Sequence, residues 1–462
     1  MDLLIVPPLT DFTTAVVPPD GTEVLDLNEH VVERLADPSR LRAAAARLPG
    51  DQLTALLGRA AAAVLERAAF DEAHLRAAGT ALRLAADPAV RLGIDRLELA
   101  EGSTQSSRDV LGAAGRCELF RPEIELARSV AAGRRAHVVV ASAGQLPAAF
   151  ALVRALGAER VTLCGRLVAE HLAALRRVPE LAGVQWLAWS PERVIRPSWQ
   201  TGEPVRWVTG ASPPPARGPW AGWLDAVRVA AFPAEALGRC RGLTITVTRI
   251  DFLAAVTGLN GMTVSLRRLL AALPSGIPVT CELVVGAPGM AAGVVGESAE
   301  LLADGAGGVR PAGLRPYRMK IRSAWAGHSV RFPPDAANDL ARWIEFAAPE
   351  TMCAYEVAGL IGLWRERLHG LLPGRLAACS VAGGEASWPG WDPCVEVVAG
   401  GGHGTFAVNL RSGRSFRLHQ GLVAPVARLA ADDPHALDGL TGAARDRLTA
   451  DLAQAGVLRG QR

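Results

Sequence analysis

Short apolar runs alternate with helical patterns through most of the chain. Leu3 to Val6 and Glu23 to Leu27 favour buried strands of a parallel sheet. From 38 to 92, Ala, Leu and Arg recur at helical spacing. The clearest unit runs from Ala136 to Gly165, where a β-branched run, a helix and a second strand predict a βαβ unit. The chain is therefore predicted to be α/β, with a doubly wound parallel sheet in a first domain, 1–190.

A second α/β series follows a stretch of different composition. Residues 191–239 are rich in Pro and Trp and lack sustained periodicity, which predicts a linker. Beyond it, apolar runs at Leu243 to Val247 and Val279 to Val285 alternate with helical patterns, and a Gly-Ala-Pro-Gly turn follows at Gly286 to Gly289. A strand and helix repeat without a dinucleotide fingerprint predicts a partial or full (β/α) barrel at 240–394.

The last segment, 395–462, is predicted to be a small winged-helix-like domain. Two alternating runs around Arg411 to Arg414 predict a β-hairpin, and two helices follow it. The apolar side chains of the hairpin are Phe406, Val408, Leu410, Phe416 and Leu418. They would either line a binding surface or form the core of the small domain itself.

Charge and composition exclude several classes of protein. The 462 residues carry 49 basic and 46 acidic side chains, for a formal net charge of +3, so nothing favours binding to nucleic acid or to an anionic membrane. The start has no basic region before a sustained apolar stretch, and the expected location is the cytoplasm. Motifs of nucleotide hydrolases, serine hydrolases and zinc proteases are absent from the sequence.

Three parts of the chain resemble the cobalamin-binding radical S-adenosylmethionine enzymes of ribosomal peptide pathways. They are the strands at Leu3 to Pro8 and Val24 to Asn28, the βαβ unit, and the run from Cys281 to Gly289 with its Gly-x-Pro-Gly turn. The resemblance implies a cobalamin-binding domain followed by a barrel. The residues that it places at a cofactor site are Ser142, Gln145, Gly165, Glu282 and Gly286.

The chain departs from that family at the cysteines. The family holds a [4Fe–4S] cluster with Cys-x-x-x-Cys-x-x-Cys, whereas the seven cysteines here stand singly, and Pro219 to Thr280 contains only Cys240. A [4Fe–4S] cluster, a metal site and radical chemistry are therefore not expected, and no catalytic residue is assigned. Cobalamin stays a possible cofactor, although the sequence has no Asp-x-His-x-x-Gly motif.

The C-terminal hairpin and helices resemble the leader-peptide recognition element of ribosomal peptide modification pathways. The run from Val408 to Leu418 is the basis of that resemblance. It implies that a precursor's leader peptide adds as a strand to an exposed sheet edge, beside the five apolar hairpin residues.

Two functions follow from these observations. The first is a non-catalytic radical enzyme homologue that binds a leader peptide, or acts as a scaffold for an active radical enzyme, during maturation of a ribosomal peptide. The alternative is an enzyme that binds cobalamin or S-adenosylmethionine and carries out non-radical group transfer on a peptide.

Some polar residues have more than one interpretation. Glu282 lies within an apolar strand, where a carboxylate needs a partner or a cavity. It would bind an amine or guanidinium ligand, or form a buried salt bridge with Arg315 or Arg318, which we favour. Arg315, Arg318, Lys320 and Arg322 form a basic cluster that would bind an acidic group or lie on a solvated strand face. Ser142 and Gln145 would contact a corrin or cap a helix.

Overall fold

The structure, a computed structural model, divides into two compact units. It describes residues 2–9, 13–50, 52–67, 71–94, 96–196, 203–210, 212–305, 308–321, 330–368, 371–377 and 391–458. The first unit comprises Met1–Glu29, Asp87–Val90 and Leu97–Val381, and the second comprises His30–Ala86, Arg91–Arg96 and Ala382–Arg462. This division differs from the four consecutive segments predicted from the sequence.

The described residues form both strands and helices. The strands are β1 (Leu3–Val6), β2 (Thr14–Val16), β3 (Glu23–Asp26), β4 (Val90–Leu92), β5 (Leu97–Leu99), β6 (Ala136–Val139), β7 (Val161–Cys164), β8 (Gln185–Trp186), β9 (Arg193–Ile195), β10 (Arg206–Thr209), β11 (Trp220–Asp225), β12 (Cys240–Val247), β13 (Arg249–Ile250), β14 (Ala255–Thr257), β15 (Thr263–Ser265), β16 (Val279–Val285), β17 (Arg310–Pro316), β18 (Met319–Lys320), β19 (Val330–Phe332), β20 (Trp343–Ala347), β21 (Val395–Ala399), β22 (Thr405–Asn409) and β23 (Arg414–Leu418). The α-helices are α1 (Leu27–Leu35), α2 (Pro38–Ala46), α3 (Leu53–Leu65), α4 (Glu72–Arg83), α5 (Ser107–Arg116), α6 (Arg121–Val130), α7 (Leu146–Leu156), α8 (Arg166–Leu175), α9 (Ala226–Ala230), α10 (Ala234–Leu237), α11 (Leu266–Ala271), α12 (Ala292–Ala303), α13 (Ala354–Arg367), α14 (Gly374–Ala377), α15 (Gln420–Ala430) and α16 (Gly442–Gln454). Within these ranges, none of the helices has the length and apolarity needed to traverse a bilayer.

The first sheet of unit one is parallel, with strand order β3-β1-β6-β7-β8. Its central strands β1, β6 and β7 are short, largely apolar and mostly buried, as the inner strands of parallel sheets usually are. The predicted βαβ unit is present as β6, α7 and β7. One face of the sheet packs against helices α5 to α8, where Val110, Leu152 and Leu167 join the core.

The opposite face of the first sheet differs from the doubly wound prediction. Among the described residues, the connection from β1 to β3 contains strand β2 where a doubly wound fold would have a helix. Leu4, Val139 and Cys164 on this face pack against Val16 and Trp189. The α/β class with a parallel sheet is confirmed, while the second helical layer is not formed at this connection.

The second sheet of unit one is mixed, with strand order β17-β16-β12-β11-β10-β9-β2. Strands β10, β11, β12, β16 and β17 are parallel and lie side by side in chain order, and β9 and β2 continue the sheet in antiparallel fashion. Helices α9, α11, α12 and α13 cover one face, through residues such as Val229, Leu266, Val295 and Ile361.

The Pro- and Trp-rich segment 191–239 was wrongly predicted to be a linker. It supplies β9, β10 and β11 to the second sheet, and also α9 and α10. Strand β11 reads Trp-Ala-Gly-Trp-Leu-Asp, which has no β-branched residue and no clear alternation. Tertiary packing stabilises it instead, since Trp220 is fully buried and its Nε1 donates to the carbonyl of Ala236 at 2.7 Å.

The second unit is built around the antiparallel sheet β21-β22-β23. Helices α2, α3 and α4 cover one face of this sheet, with Leu56, Ala60 and Val64 in the shared core. Helices α15 and α16 cover the other face through Val426, Leu448 and Leu452. The helical segment near residues 38–83 therefore belongs with the C-terminal domain, because its apolar stripe buries a face of that domain's sheet.

Candidate functional site

Glu282 is a carboxylate on the face of the second sheet opposite to helices α9 to α13. Successive residues of a strand point to opposite faces. Cys281, Leu283 and Val285 of β16 lie in the helix-covered core, so Glu282 and Thr280 point the other way. Glu282 is only 3 % exposed. A carboxylate at such a depth needs partners to offset its lost hydration.

The chain itself supplies those partners. The Nε of Arg315 donates to Glu282 Oε2 at 2.7 Å, and Trp223 Nε1 donates to the same oxygen at 3.0 Å. The Arg315 guanidinium also lies over the Trp223 ring, 5.4 Å from its centroid. The predicted salt bridge between Glu282 and Arg315 is therefore confirmed, and the carboxylate is already paired.

A second polar contact lies on the same face of this sheet. Thr244 of β12 is directly opposite Thr280 of β16, and their hydroxyl oxygens are 2.6 Å apart. Thr246 lies opposite Glu282. This face is polar where the opposite one is apolar. Its two threonine hydroxyls bond to each other, separately from the contacts of the Glu282 carboxylate.

The segment 371–377 lies across this polar face. Helix α14 at its end packs against β11, β12, β16 and β17. The backbone N–H of Gly374 donates to Glu282 Oε1 at 3.2 Å, so both carboxylate oxygens accept hydrogen bonds. A Cβ at position 374 would stand 2.7 Å from that oxygen. Only glycine lets the backbone approach the carboxylate this closely. The segment 371–377 therefore covers the part of this face from which a ligand would contact Glu282.

Gly286, which the resemblance places at a cofactor site, forms a close packing contact. It follows β16 with φ of +88°, and a Cβ there would lie 2.6 Å from Val357 Cγ2 of α13. The glycine therefore lets the strand turn directly beneath this helix.

Gln145 connects strand ends at the carboxyl edge of the first sheet. It is fully buried, and its Oε1 accepts from the backbone N–H groups of Ala141 and Ser142 at 2.7 and 3.1 Å. Its Nε2 donates to the carbonyls of Pro7 and Val139 at 3.4 and 3.3 Å. The amide is engaged at both ends by backbone groups from two neighbouring strands.

Ser142 and Gly165 also have contacts that explain their residue types. Ser142 forms a capping box with Gln145 at the start of a one-turn 3₁₀ helix. Gly165 has φ of +107° and ψ of 170°, and a Cβ there would stand 2.5 Å from the carbonyl oxygen of Val140. These contacts account for both residues without a corrin, and cobalamin binding stays a prediction.

The hairpin residues point to both faces of their sheet, and not to one apolar side as the sequence suggested. Phe406, Val408 and Leu410 are buried against helices α2 to α4. Phe416 and Leu418 are half-buried on the opposite face, in the cluster with α15 and α16. The reason is the register, since Ala407 pairs with Phe416, and paired residues share a face.

The two edges of this sheet are unequal. On the outer side of β21, Arg59 of α3 donates to the carbonyl of Ala399 at 2.7 Å. Arg67 pairs with Glu396 of the same strand on the face that the helices α2 to α4 cover. Strand β23 is the last strand in the sheet order, so in the part of the chain that the structure describes no strand pairs with its outer side. It carries Arg414 and Arg417, both exposed.

The described cysteines lie apart in the fold and are mostly buried. Cys164 ends β7, Cys240 begins β12, and Cys394 lies in the second unit. In the described ranges, no group of three His, Cys, Asp or Glu side chains is placed to hold a metal ion. Cys379 lies outside the described residues.

These surroundings predict a clear order of cysteine reactivity. Burial raises the pKa of Cys164, Cys240 and Cys394 to about 12, so their thiolates are scarce at pH 8, whereas Cys353 is exposed at the start of α13. We expect iodoacetamide to modify Cys353 before the other described cysteines in the native protein, as mapped by peptide mass spectrometry. Denatured protein, in which all the thiols react, is the control, and equally fast native labelling of Cys164 would contradict the prediction.

The spacing of residues in the sequence did not predict that the segment 371–377 covers the polar face of the second sheet. Gly374 is 92 residues from Glu282, and its role depends on a backbone N–H that any non-proline residue has. Comparison of the chain with protein-family models, with curated proteins and with solved structures finds no match. The site is therefore interpreted from its own residues.

Proposed function

We propose that this chain is a non-catalytic peptide-binding protein, and that a peptide adds as a strand to the outer side of β23. The partner is the leader segment of a ribosomally made precursor peptide, whose core a separate radical enzyme then modifies. The proposal rests on the resemblance of this domain to leader-peptide recognition elements and on the contacts of the second unit.

The free edge of β23 is the observation that carries the proposal. An unpaired strand edge offers a row of N–H and C=O groups, which an extended peptide can satisfy. The opposite edge strand, β21, is already contacted by Arg59 and Arg67. Among the described residues, β23 is therefore the edge strand of this sheet whose outer side has no arginine side chain bonded to it.

The side chains beside this edge indicate which peptide would fit. Half-buried Phe416, Leu418 and Leu422 offer apolar surface next to β23. Arg414 and Arg417 are exposed on a strand that carries no acidic residue. A peptide with alternating apolar and acidic residues would match both features, and its binding would weaken with salt.

Contacts in the first unit support a binding role over catalysis. The parallel strands β10, β11, β12, β16 and β17 follow chain order, as in a partial barrel, and their polar face is where a barrel enzyme would hold its substrate. There the carboxylate of Glu282 already accepts hydrogen bonds from the Gly374 N–H of segment 371–377 and from Arg315. The cysteine triad that a radical enzyme needs is also missing from the sequence.

Charge reversal on β23 tests the proposal. Peptides would be selected on the full-length chain from a random display library, then labelled and titrated by fluorescence polarisation. We expect selected peptides to be rich in acidic and apolar residues. The double variant Arg414→Glu and Arg417→Glu should weaken their binding about tenfold or more, because two attractive charge contacts become repulsive.

Arg47→Glu is the matched control, since Arg47 is an exposed arginine of the same unit at the end of α2. It should leave the affinity unchanged. Failure to select any peptide, or equal affinities of the double variant and the wild type, would contradict the proposal.

A further inference from the structure

Arg342 is a half-buried arginine fixed in place by backbone and side-chain contacts in the first unit. Leu340, two residues earlier, is buried in the core of the first sheet, and its N–H donates to the Gln105 carbonyl at 2.8 Å. The N–H of Arg342 donates to Gln105 Oε1 at 3.1 Å, and its Nη2 donates to Thr104 Oγ1 at 3.0 Å. These bonds hold the guanidinium against the loop before α5.

Within the described part of the chain, the charge of this guanidinium has no acidic partner in hydrogen-bond contact. Among the described residues, no carboxylate forms an ion pair with Arg342, and its Nε is buried without a hydrogen-bond acceptor. Burial and the nearby charge of Arg318 lower its pKa to about 10, while Glu170 acts in the opposite direction. A buried donor without an acceptor is costly, so the environment of this guanidinium needs a physical explanation.

A histidine and two further positive groups lie near Arg342. The pKa of His171 on α8 is lowered by burial and by the charges of Arg342 and Lys320. Lys320 lies on β18 and Arg318 directly precedes it, and both side chains are exposed. This segment contacts Arg342, whose carbonyl accepts from the Ile321 N–H at 3.4 Å. An acidic residue, Glu170, is also close, half-exposed and 3.9 Å from His171 Nε2. The cluster therefore carries excess positive charge.

His171 of this cluster lies on α8, the helix that starts at the carboxyl edge of the first sheet. Helix α8 begins directly after β7, and Arg166 at its start donates to the Ala141 carbonyl just beyond β6, at 3.4 Å. Ligands of open parallel sheets bind outside the carboxyl ends of the strands. A site at this position would be open to solvent on the side of Arg318 and Lys320.

We propose that Arg318, Lys320, Arg342 and His171 form an anion site for a phosphate-bearing small molecule. Arginine side chains suit phosphate because their planar donors match its oxygens, and bound phosphate would accept from the guanidinium of Arg342. The site lies in the first unit and is independent of the proposed peptide binding. The sequence placed Arg318 and Lys320 in a basic cluster with Arg315 and Arg322. Of the other two members, Arg315 pairs with Glu282 and Arg322 lies outside the described residues.

Phosphate binding to the full-length chain tests this proposal. Inorganic phosphate at millimolar concentration should raise the melting temperature above that in sodium chloride of equal ionic strength. The double variant Arg318→Gln and Lys320→Gln should weaken phosphate binding in calorimetry about tenfold or more, because two charged contacts are lost. Arg331→Gln, an exposed arginine on β19, should change neither result. Equal melting temperatures in phosphate and chloride would overturn the proposal.

Two further measurements separate a binding site from a structural arginine. Without phosphate, Arg342→Met should be as stable as the wild type or more so, because it removes an unpaired charge, and phosphate should no longer stabilise it. Marked destabilisation of this variant, together with retained phosphate binding, would contradict the proposal. Binding of phenyl phosphate as tightly as inorganic phosphate would identify a phosphomonoester ligand, whereas preference for the inorganic ion would identify free phosphate.

Discussion

Replacing Gly165 with alanine should lower the free energy of unfolding by about 3 kcal/mol or more. Its φ of +107° and ψ of 170° lie in a region that only glycine readily adopts, and the added Cβ would meet the Val140 carbonyl oxygen at 2.5 Å. Strain and a clash with backbone therefore add together. Chemical denaturation followed by circular dichroism measures the loss.

Gly133→Ala is the control for this prediction. Gly133 also has a positive φ, +73°, but a Cβ added there would have no other atom within 4 Å. Its substitution should cost only about 1 kcal/mol, the strain of the left-handed conformation. A Gly165→Ala variant as stable as Gly133→Ala would show that the backbone at the end of β7 can shift, and that close packing does not require this glycine.

Glu282→Ala should lower the free energy of unfolding by about 3 kcal/mol, because removing one member of a buried ion pair leaves the other members without partners. Arg315 Nε, Trp223 Nε1 and Gly374 N–H would all lose their acceptor. The segment 371–377 should then become more susceptible to limited proteolysis, since its hydrogen bond to the second sheet is gone.

Thr280→Val is the matched control for Glu282→Ala. It lies on the same face two residues earlier and loses a single hydroxyl contact, to Thr244. We expect a cost of about 1 kcal/mol, the typical net value of one neutral hydrogen bond. Equal losses in the free energy of unfolding for the two variants would show that the hydrogen bonds of Glu282 stabilise this face no more than a single hydroxyl contact does.

The pattern of apolar and polar residues correctly predicted several strands and helices whose formation depends on neighbouring residues in the sequence. The β-branched run before Ser142 and the helix after it appear as β6 and α7, and the alternation around Gly413 appears as the hairpin β22–β23. The carboxylate of Glu282 was correctly expected to pair with Arg315, since a charged residue within an apolar run requires a partner.

Features that depend on distant residues could not be predicted in this way. Strand β11 has no strand-like alternation and is held by its two parallel neighbours, β10 and β12. The apolar stripe of α3 gave no sign that it covers the sheet of residues 395–418. Arg342 meets Thr104 across 238 residues of chain, and its charge environment exists only after folding.

The orientation of the hairpin shows the same limit on a smaller scale. The alternation of apolar and polar residues identified both strands correctly. It could not show which residues of β23 share a face of the sheet with which residues of β22. That depends on the pairing of Ala407 with Phe416, which the turn length fixes. The five apolar residues consequently belong to two cores, and they do not form a single apolar surface.

Hydrogen–deuterium exchange of the full-length chain, with and without a selected peptide, tests strand addition to β23 most directly. Bound peptide would form main-chain hydrogen bonds along the edge, so the account predicts slower amide exchange concentrated in residues 414–418. Unchanged exchange in β23 while the peptide is bound, with protection confined to residues of the first unit, would contradict it.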